Sequence, residues 1–534
     1  MVEIKLSGVL PGSAIRYVVL FLVFFLISSS IIPQTTKRTT GKTRIEIRNA
    51  DKGIIIKDKQ TGKEINLLLG NVKLDHNEIT MMCDSAHFFP DKNQVKAFSR
   101  IHIEQGDTLD LYGDYLFYDG RTEIAIVREN VEFVDKETHL FTDSLDYDAK
   151  NKVATYIDKG RIINADNTLT STIGIYYVSQ DLFHFKDSVK IVTPDYVITA
   201  DTMDYNTETE TAFFTGPTEM QGDSIYIYSE RGWHETKLDV SRIWKNAFID
   251  NKQQIIKGDS LYYDNHTGYG EAYRNISIAD TGNSIMVTGN YAWYYKEPEK
   301  FMVTDSAVFI QFASDDSLFL HADTIRAITI ADTSAKGYRL MKAYYGCRIF
   351  SRELQAKCDS LAYSFRDSVI RFYQEPVLWS DENQLTADSM ALFTKNRKTE
   401  RMELYNSAFI VSKVDTVRFN QIKGRSLTGY FKNNELFKID VTGNAESVYH
   451  LLDGPHVAGV NTGKCARMQI TVDEGKIVDI VQYDAPEGVI DPPFQSSLKP
   501  ARLEGFEWFE NIRPAKVEDI FIKPENVEDN SIKK

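Results

Sequence analysis

The sequence predicts an all-β protein: an elongated, repetitive β-jelly roll of two facing, mainly antiparallel sheets with bent strands. Three observations predict it: a recurring five-residue unit, side-chain alternation of period two, and a change in the phase of that alternation inside the unit. The unit is clearest as Asp143-Ser144-Leu145-Asp146-Tyr147, and it returns at Asp201 to Tyr205, Asp259 to Tyr263 and Asp359 to Tyr363. Weaker copies begin at Asp84, Asp114, Asn290, Asp323, Asp388 and Arg425. Asp143, Asp201 and Asp259 are spaced by 58 residues each, so a period of 29 places further copies at Thr172 and Glu230. Thr172 to Tyr176 fits, and Glu230 to His234 is degenerate. A fixed period of about 20 to 50 residues marks stacked units rather than a string of independent domains.

The phase change carries the prediction of bent strands. Before the repeat acid, apolar residues lie three and one positions back, as in Ile198 and Ala200, Leu320 and Ala322, or Leu385 and Ala387. After it they lie two and four positions on, as in Met203 and Tyr205, Leu261 and Tyr263, or Met390 and Leu392. Side chains of a straight strand alternate between faces, so the two sets would point opposite ways. For both to reach one core the strand must bulge or bend at the acid, which lets it pass from one sheet to the facing one. The acid, often followed by Ser or Thr, is expected to bond its own backbone at the break and to point outward.

The elements follow in chain order. Residues 1–34 read as a signal peptide: Lys5 and Arg16, an apolar run from Tyr17 to Ile27, then Ser28-Ser29-Ser30. The competing reading, an uncleaved anchor, calls for about 20 apolar residues. Residues 35–43 are a polar, flexible lead-in. Residues 44–460 hold the repeats, opening with short strands at Arg44 to Arg48 and Gly53 to Lys57 and a longer one at Leu67 to Leu74. Gly70-Asn71-Val72, Glu129-Asn130-Val131 and Arg274-Asn275-Ile276 read as strand entries. One full unit is a strand from Leu109 to Tyr118, a turn at Asp119-Gly120-Arg121, a strand from Glu123 to Phe133 and a turn at Asp135-Lys136.

Residues 461–534 form a terminal hairpin, Met468 to Tyr483 around Asp473-Glu474-Gly475, and a tail broken by Pro486, Pro492, Pro493 and Pro500. Phe506, Trp508 and Phe509 fall in a short, helix-compatible piece from Leu503 to Ile512, where they either cap the core or dock on a partner. Of the four cysteines, Cys347 and Cys358 flank a turn near Ser351-Arg352 symmetrically. On an antiparallel hairpin they face one another, either as a disulfide or as two free thiols. Cys83 and Cys358 each precede a repeat acid.

Composition excludes several function classes. A net charge of −14 without a basic face disfavours nucleic acid. The sequence has no phosphate-binding glycine loop, nucleophile elbow or zinc helix, and its ten histidines lack metal-ligand spacing. Asp143, Asp146 and Asp148 lack the glycine turn of a calcium loop. Repeated acids mark structure, whereas an active site is usually unique, so the chain is read as a non-enzyme with no cofactor or metal. What remains is the inward ladder: Leu116 and Tyr118, Leu145 and Tyr147, Met203 and Tyr205, Leu261 and Tyr263, Ala292 and Tyr294, Leu361 and Tyr363, Met390 and Leu392. It is either a closed core or, in an open roll, an apolar lipid-binding trough.

Over residues 45 to 450 these features, with the signal peptide and the Ala-Asp-Ser/Thr units, resemble the OstA-like family. That family contains the periplasmic lipopolysaccharide-transport bridge protein LptA and the amino-terminal domain of the outer-membrane receptor LptD. The Asp-Ser form and the length of 534 residues are closer to long Bacteroidetes members than to the short bridge protein. The resemblance implies a periplasmic, possibly outer-membrane-associated conduit that shields the acyl chains of lipopolysaccharide, or its lipid A part, between the two membranes. It also implies LptC- and LptD-like partners and end-to-end self-association. The rival readings are a β-helix polysaccharide-active enzyme and a closed-core scaffold or adhesin at the cell surface.

Overall fold

A computed structural model describes residues 44–313, 316–331, 337–395, 398–432, 435–454, 456–473, 476–492 and 501–522. The expected signal peptide and lead-in, the hairpin tip at Glu474-Gly475, and Pro493 and Pro500 lie outside the described residues. The rest is nearly all strand: 38 strands join into one sheet, with three short 3-10 turns and no α-helix among the described residues. No helix among them is long and apolar enough to cross a membrane.

The sheet grows by serial antiparallel pairing. Glu64–His76 pairs with Ile79–Phe89, that strand with Gln94–Gln105, and so on through Leu109–Asp119, Ile124–Asp135 and Thr138–Asp148. The predicted unit is therefore correct in its strands and turns. Every such strand is creased in the middle. In Ile79–Phe89 the buried side chains are Ile79, Met81 and Cys83 before the crease and Ala86 and Phe88 after it, so the inward phase slips at Asp84-Ser85. Where a creased strand breaks, its two arms pair separately: Val153–Tyr156 continues one ladder and Gly160–Asn164 the other. Hydrogen bonding makes one sheet, and the crease folds it into two facing halves.

The origin of the crease differs from the expectation. The extra residue of the bulge sits on the strand beside the repeat acid. Between the paired residues Phe98 and Ile101, Ser99 and Arg100 both adopt positive φ, and opposite them Gln94–Gln105 skips two residues against one in Leu109–Asp119. Glu129 and Asn130, Arg274 and Asn275, and Asn406 and Ser407 do the same, a conformation few non-glycine residues adopt. Glu129-Asn130 and Arg274-Asn275 thus mark mid-strand bends, not strand entries. The repeat acid does point outward, and at Asp84, Asp114 and Asp259 it binds these residues and not its own backbone. Asp84 accepts from Ser99 Oγ at 2.7 Å and Arg100 Nη2 at 2.5 Å, and Asp114 from Asn130 Nδ2 at 2.6 Å. Asp259 accepts from Asn275 at 3.1 Å.

Inside the crease there is little room. The position before the repeat acid is Cys83, Gly113, Thr142, Ala200, Gly258, Gly289, Ala322, Cys358, Ala387 or Gly424. A Cβ on Gly113, Gly289 or Gly424 would come within 2.5 Å of a valine Cγ1, that of Val127, Val303 or Val441 respectively.

The tail, whose piece from Leu503 to Ile512 reads as helix-compatible, is an irregular strap with 3-10 turns at Glu510–Ile512 and Val517–Phe521 among its described residues. It runs back over the outer face, where Leu503, Phe506 and Trp508 cover Phe409, Val411 and Phe419 in an apolar cluster separate from the main core. Buried glutamines grip its backbone. Gln421 donates to Ala501 O and accepts from Leu503 N, both at 2.9 Å, and Gln384 donates to Glu507 O at 2.9 Å and accepts from Phe509 N at 2.7 Å. Arg513 then donates to Gln355 Oε1 at 2.7 Å, and the Phe521 ring packs on His321. The aromatics of the tail thus dock on the chain's own sheet.

Two outcomes test this account. Gly113→Val should destabilise the protein by about 1–3 kcal/mol through overpacking of the crease, whereas Gly53→Ala, whose Cβ would meet only Leu68 at 3.9 Å, should be near neutral in urea unfolding. A chain ending before Ala501 should expose Phe409, Val411 and Phe419, lowering the thermal midpoint and increasing binding of an apolar fluorescent dye.

Candidate functional site

The two halves of the folded sheet meet again at the edge away from the crease, and there the Tyr of each unit decides whether the interior is closed. His76 Nδ1 lies 2.7 Å from the Tyr118 hydroxyl, Tyr147 donates to Gln105 Oε1 at 2.5 Å, and Tyr176 donates to Asp135 Oδ2 at 2.7 Å. Tyr205 donates to Asn164 Oδ1 at 3.0 Å and accepts from Asn167 at 3.1 Å. These partners are 38 to 42 residues apart and join opposite halves, so they lace the edge shut. Burial raises the pKa of all four phenols well above the ordinary tyrosine value, keeping them neutral donors.

The lacing changes at the degenerate unit. His234 takes the tyrosine's place, bonding Ser241 Oγ at 2.9 Å and meeting the Tyr196 ring edge-on at 5.4 Å. One unit later, Gly222 stands where a polar side chain would meet Tyr263. The Tyr263 hydroxyl turns instead to Asn265 in its own strand end, at 3.2 Å. With this closure missing, a cavity of about 460 Å³ opens between the halves, within the usual range of ligand sites. Its walls include Ile249, Ile256 and Ile278 from one half and Leu261, Tyr263 and Phe301 from the other. These isoleucines and Phe301 are only half-buried although they face inward. Gly270, Ala272 and Ala292 also line it. The rim is polar and of mixed charge: Asp195, Asp223, Lys296, and the pair Arg339 and Glu299 at 3.0 Å.

The predicted ladder therefore divides. Leu116, Tyr118, Leu145, Tyr147, Met203 and Tyr205 are completely enclosed, and Leu361 and Met390 nearly so. Leu261, Tyr263, Ala292 and Tyr294 line the cavity, and Tyr363 is half-buried outside it. Sequence reasoning missed Gly222, Ile249, Ile256, Ile278 and Phe301. Their signal was the weakened unit at Glu230 to His234. On the outer face His102, Glu104 and Asp110 bring side-chain ligand atoms within 4.8 Å of one another. His102 lies 2.7 Å from Asp110, a cross-strand His–carboxylate pair repeated at His139 with Glu132 and at His184 with Asp204. Its recurrence marks ordinary surface pairing.

Residues 42–201 match the family model of OstA-like protein. A search of the curated proteins finds no match. The matched segment lies in the enclosed units that precede the cavity, and the cavity lies almost wholly beyond it, in units that continue the same crease.

His234 gives the closure a pH dependence. Burial lowers its pKa from the ordinary 6.5 to about 4, with the Asp195 carboxylate acting weakly in the opposite sense. The neutral ring is the folded form, so its stability is complete above pH 6.5 and is lost as the pH falls from there toward 4, because the unfolded chain takes up the proton first. The loss should approach about 1.4 kcal/mol per pH unit, and His234→Gln should flatten the difference between urea midpoints measured at pH 7 and pH 4.5.

Proposed function

We propose that this chain is a lipid-carrying component of lipopolysaccharide transport, working in the periplasm between inner and outer membranes. The observation that carries the reading is the apolar cavity inside a creased sheet whose first units match the OstA-like family. An acyl chain of a dozen methylenes exposed to water costs on the order of 10 kcal/mol at ~0.8 kcal/mol per methylene. A site that offsets this cost needs apolar walls and a mouth, and the half-buried Ile249, Ile256, Ile278 and Phe301 supply the walls. The polar rim suits an amphiphile whose headgroup stays at the surface. No bond need be made or broken, and the energy for movement comes from elsewhere.

Two features favour assembly with further β-rich components, LptC- and LptD-like proteins or another copy. Lys52–Lys57 is an edge strand with Ile54, Ile55 and Ile56 exposed, and Glu487–Asp491 is an edge strand with Val489 and Ile490 exposed. An unblunted apolar edge is a template for strand addition. In this reading the enclosed units are the scaffold and the cavity units carry the lipid.

Photo-crosslinking side chains placed at Leu261 and Ala292 should capture lipid in cells, while the same groups at Leu145 and Met203 should not. Lipid at neither cavity position, with the protein folded, would favour the closed-core scaffold instead. Mass spectrometry of the adduct identifies the lipid.

A further inference from the structure

Cys347 and Cys358 are register partners in the antiparallel pairing of Tyr338–Phe350 with Gln355–Ser364. Both point inward, with exposures of 0% and 3%, just inside the crease formed at Tyr345-Gly346 and opposite the repeat acid Asp359. In other units the same crease pair is Ala307 with Ala322, Ala408 with Gly424, or Val72 with Cys83. One member of each of these pairs is small, and in this hairpin both are thiols. Facing residues in an antiparallel pair have Cα atoms about 4.5–5.5 Å apart, within the span a disulfide bridges. The two thiols are free in the structure and face one another across the pair. Cys83 and Cys465, by contrast, face Val72 and Ala445.

We propose that Cys347 and Cys358 form a cross-strand disulfide that staples this hairpin at its crease. Formation joins the two sulfurs and releases two protons and two electrons; an exchangeable disulfide, from an oxidoreductase or from oxidised glutathione, accepts the electrons and is reduced to thiols. The hairpin is a mechanical junction. Its first strand carries Arg339 to the cavity rim, and its outer face supplies Arg348, which donates to Ile512 O, and Gln355, which receives Arg513. A staple there holds cavity wall and strap to one register. Contact with Cys347, and then burial, raise the Cys358 pKa well above the ordinary thiol value, so little thiolate is present once the hairpin has packed. The bond therefore forms during folding, and the folded reduced chain oxidises slowly.

The proposal rests on the periplasmic reading only for the source of the oxidant, and the test separates the two. The full chain is unfolded with reductant, refolded in a glutathione buffer rich in the oxidised form, alkylated in denaturant and mapped by mass spectrometry. The expected result is a linked Cys347–Cys358 peptide lighter by two hydrogens, with Cys83 and Cys465 alkylated. Alkylation of all four cysteines, or linkage through Cys83 or Cys465, overturns it. The oxidised protein should also melt higher than the reduced protein, a difference that the Cys347→Ala/Cys358→Ala variant, which copies the Ala307–Ala322 crease, should lose. Equal melting of the two wild-type forms would overturn the staple as a stabilising element. Chain isolated from cells with its thiols blocked on lysis reports the compartment: a bond after refolding but free thiols in cells removes the periplasmic reading and leaves the staple.

Discussion

Everything in this protein depends on one steric constraint, the crease that each strand makes halfway along its length. A strand cannot present two arms to the same interior without losing one residue of phase. Here the loss is accommodated by two consecutive left-handed residues on alternate strands, latched to the acid of the neighbouring unit. The concave side of such a bend brings backbone close to backbone, which is why Gly113, Gly289 and Gly424 cannot carry a Cβ without striking a valine. The repeat is the sequence record of that geometry: an acid outside, a small residue inside, and an apolar pair on the arm that follows.

Once both arms point inward, the interior must be either filled or occupied by something else. Up to Tyr205 it is filled, and the buried tyrosine hydroxyls are satisfied by polar residues of the opposite half, as buried polar groups require. The same ladder supports a cavity where the polar partner becomes Gly222 and the tyrosine no longer closes across the fold. Core and binding site are thus two settings of one repeat, and a difference of a few side-chain volumes selects between them.

The outer face shows a similar economy. Gln355, Gln384 and Gln421 recur on alternate creased strands with nothing in the main core to bond, and a buried amide needs both donor and acceptor met. The strap meets them through its backbone at Gln384 and Gln421, and through the Arg513 guanidinium at Gln355. Its path covers the hairpin that holds Cys347 and Cys358.

Much of this was legible in the chain itself. Period-two alternation, the 29-residue repeat and the phase slip between Cys83 and Ala86 follow from local side-chain order, and they determined the class of fold, the strand units and the inward ladder. They could not place the bulge, because the register of Ser99-Arg100 against Asp114 is a relation between strands. Nor could they divide Tyr147 from Tyr263, which occupy the same position in the same motif. What separates them is the partner 42 residues earlier for one and its absence for the other. A ladder of identical units carries its local conformation in sequence, but whether its interior is closed or hollow is settled only by which side chains meet across the fold.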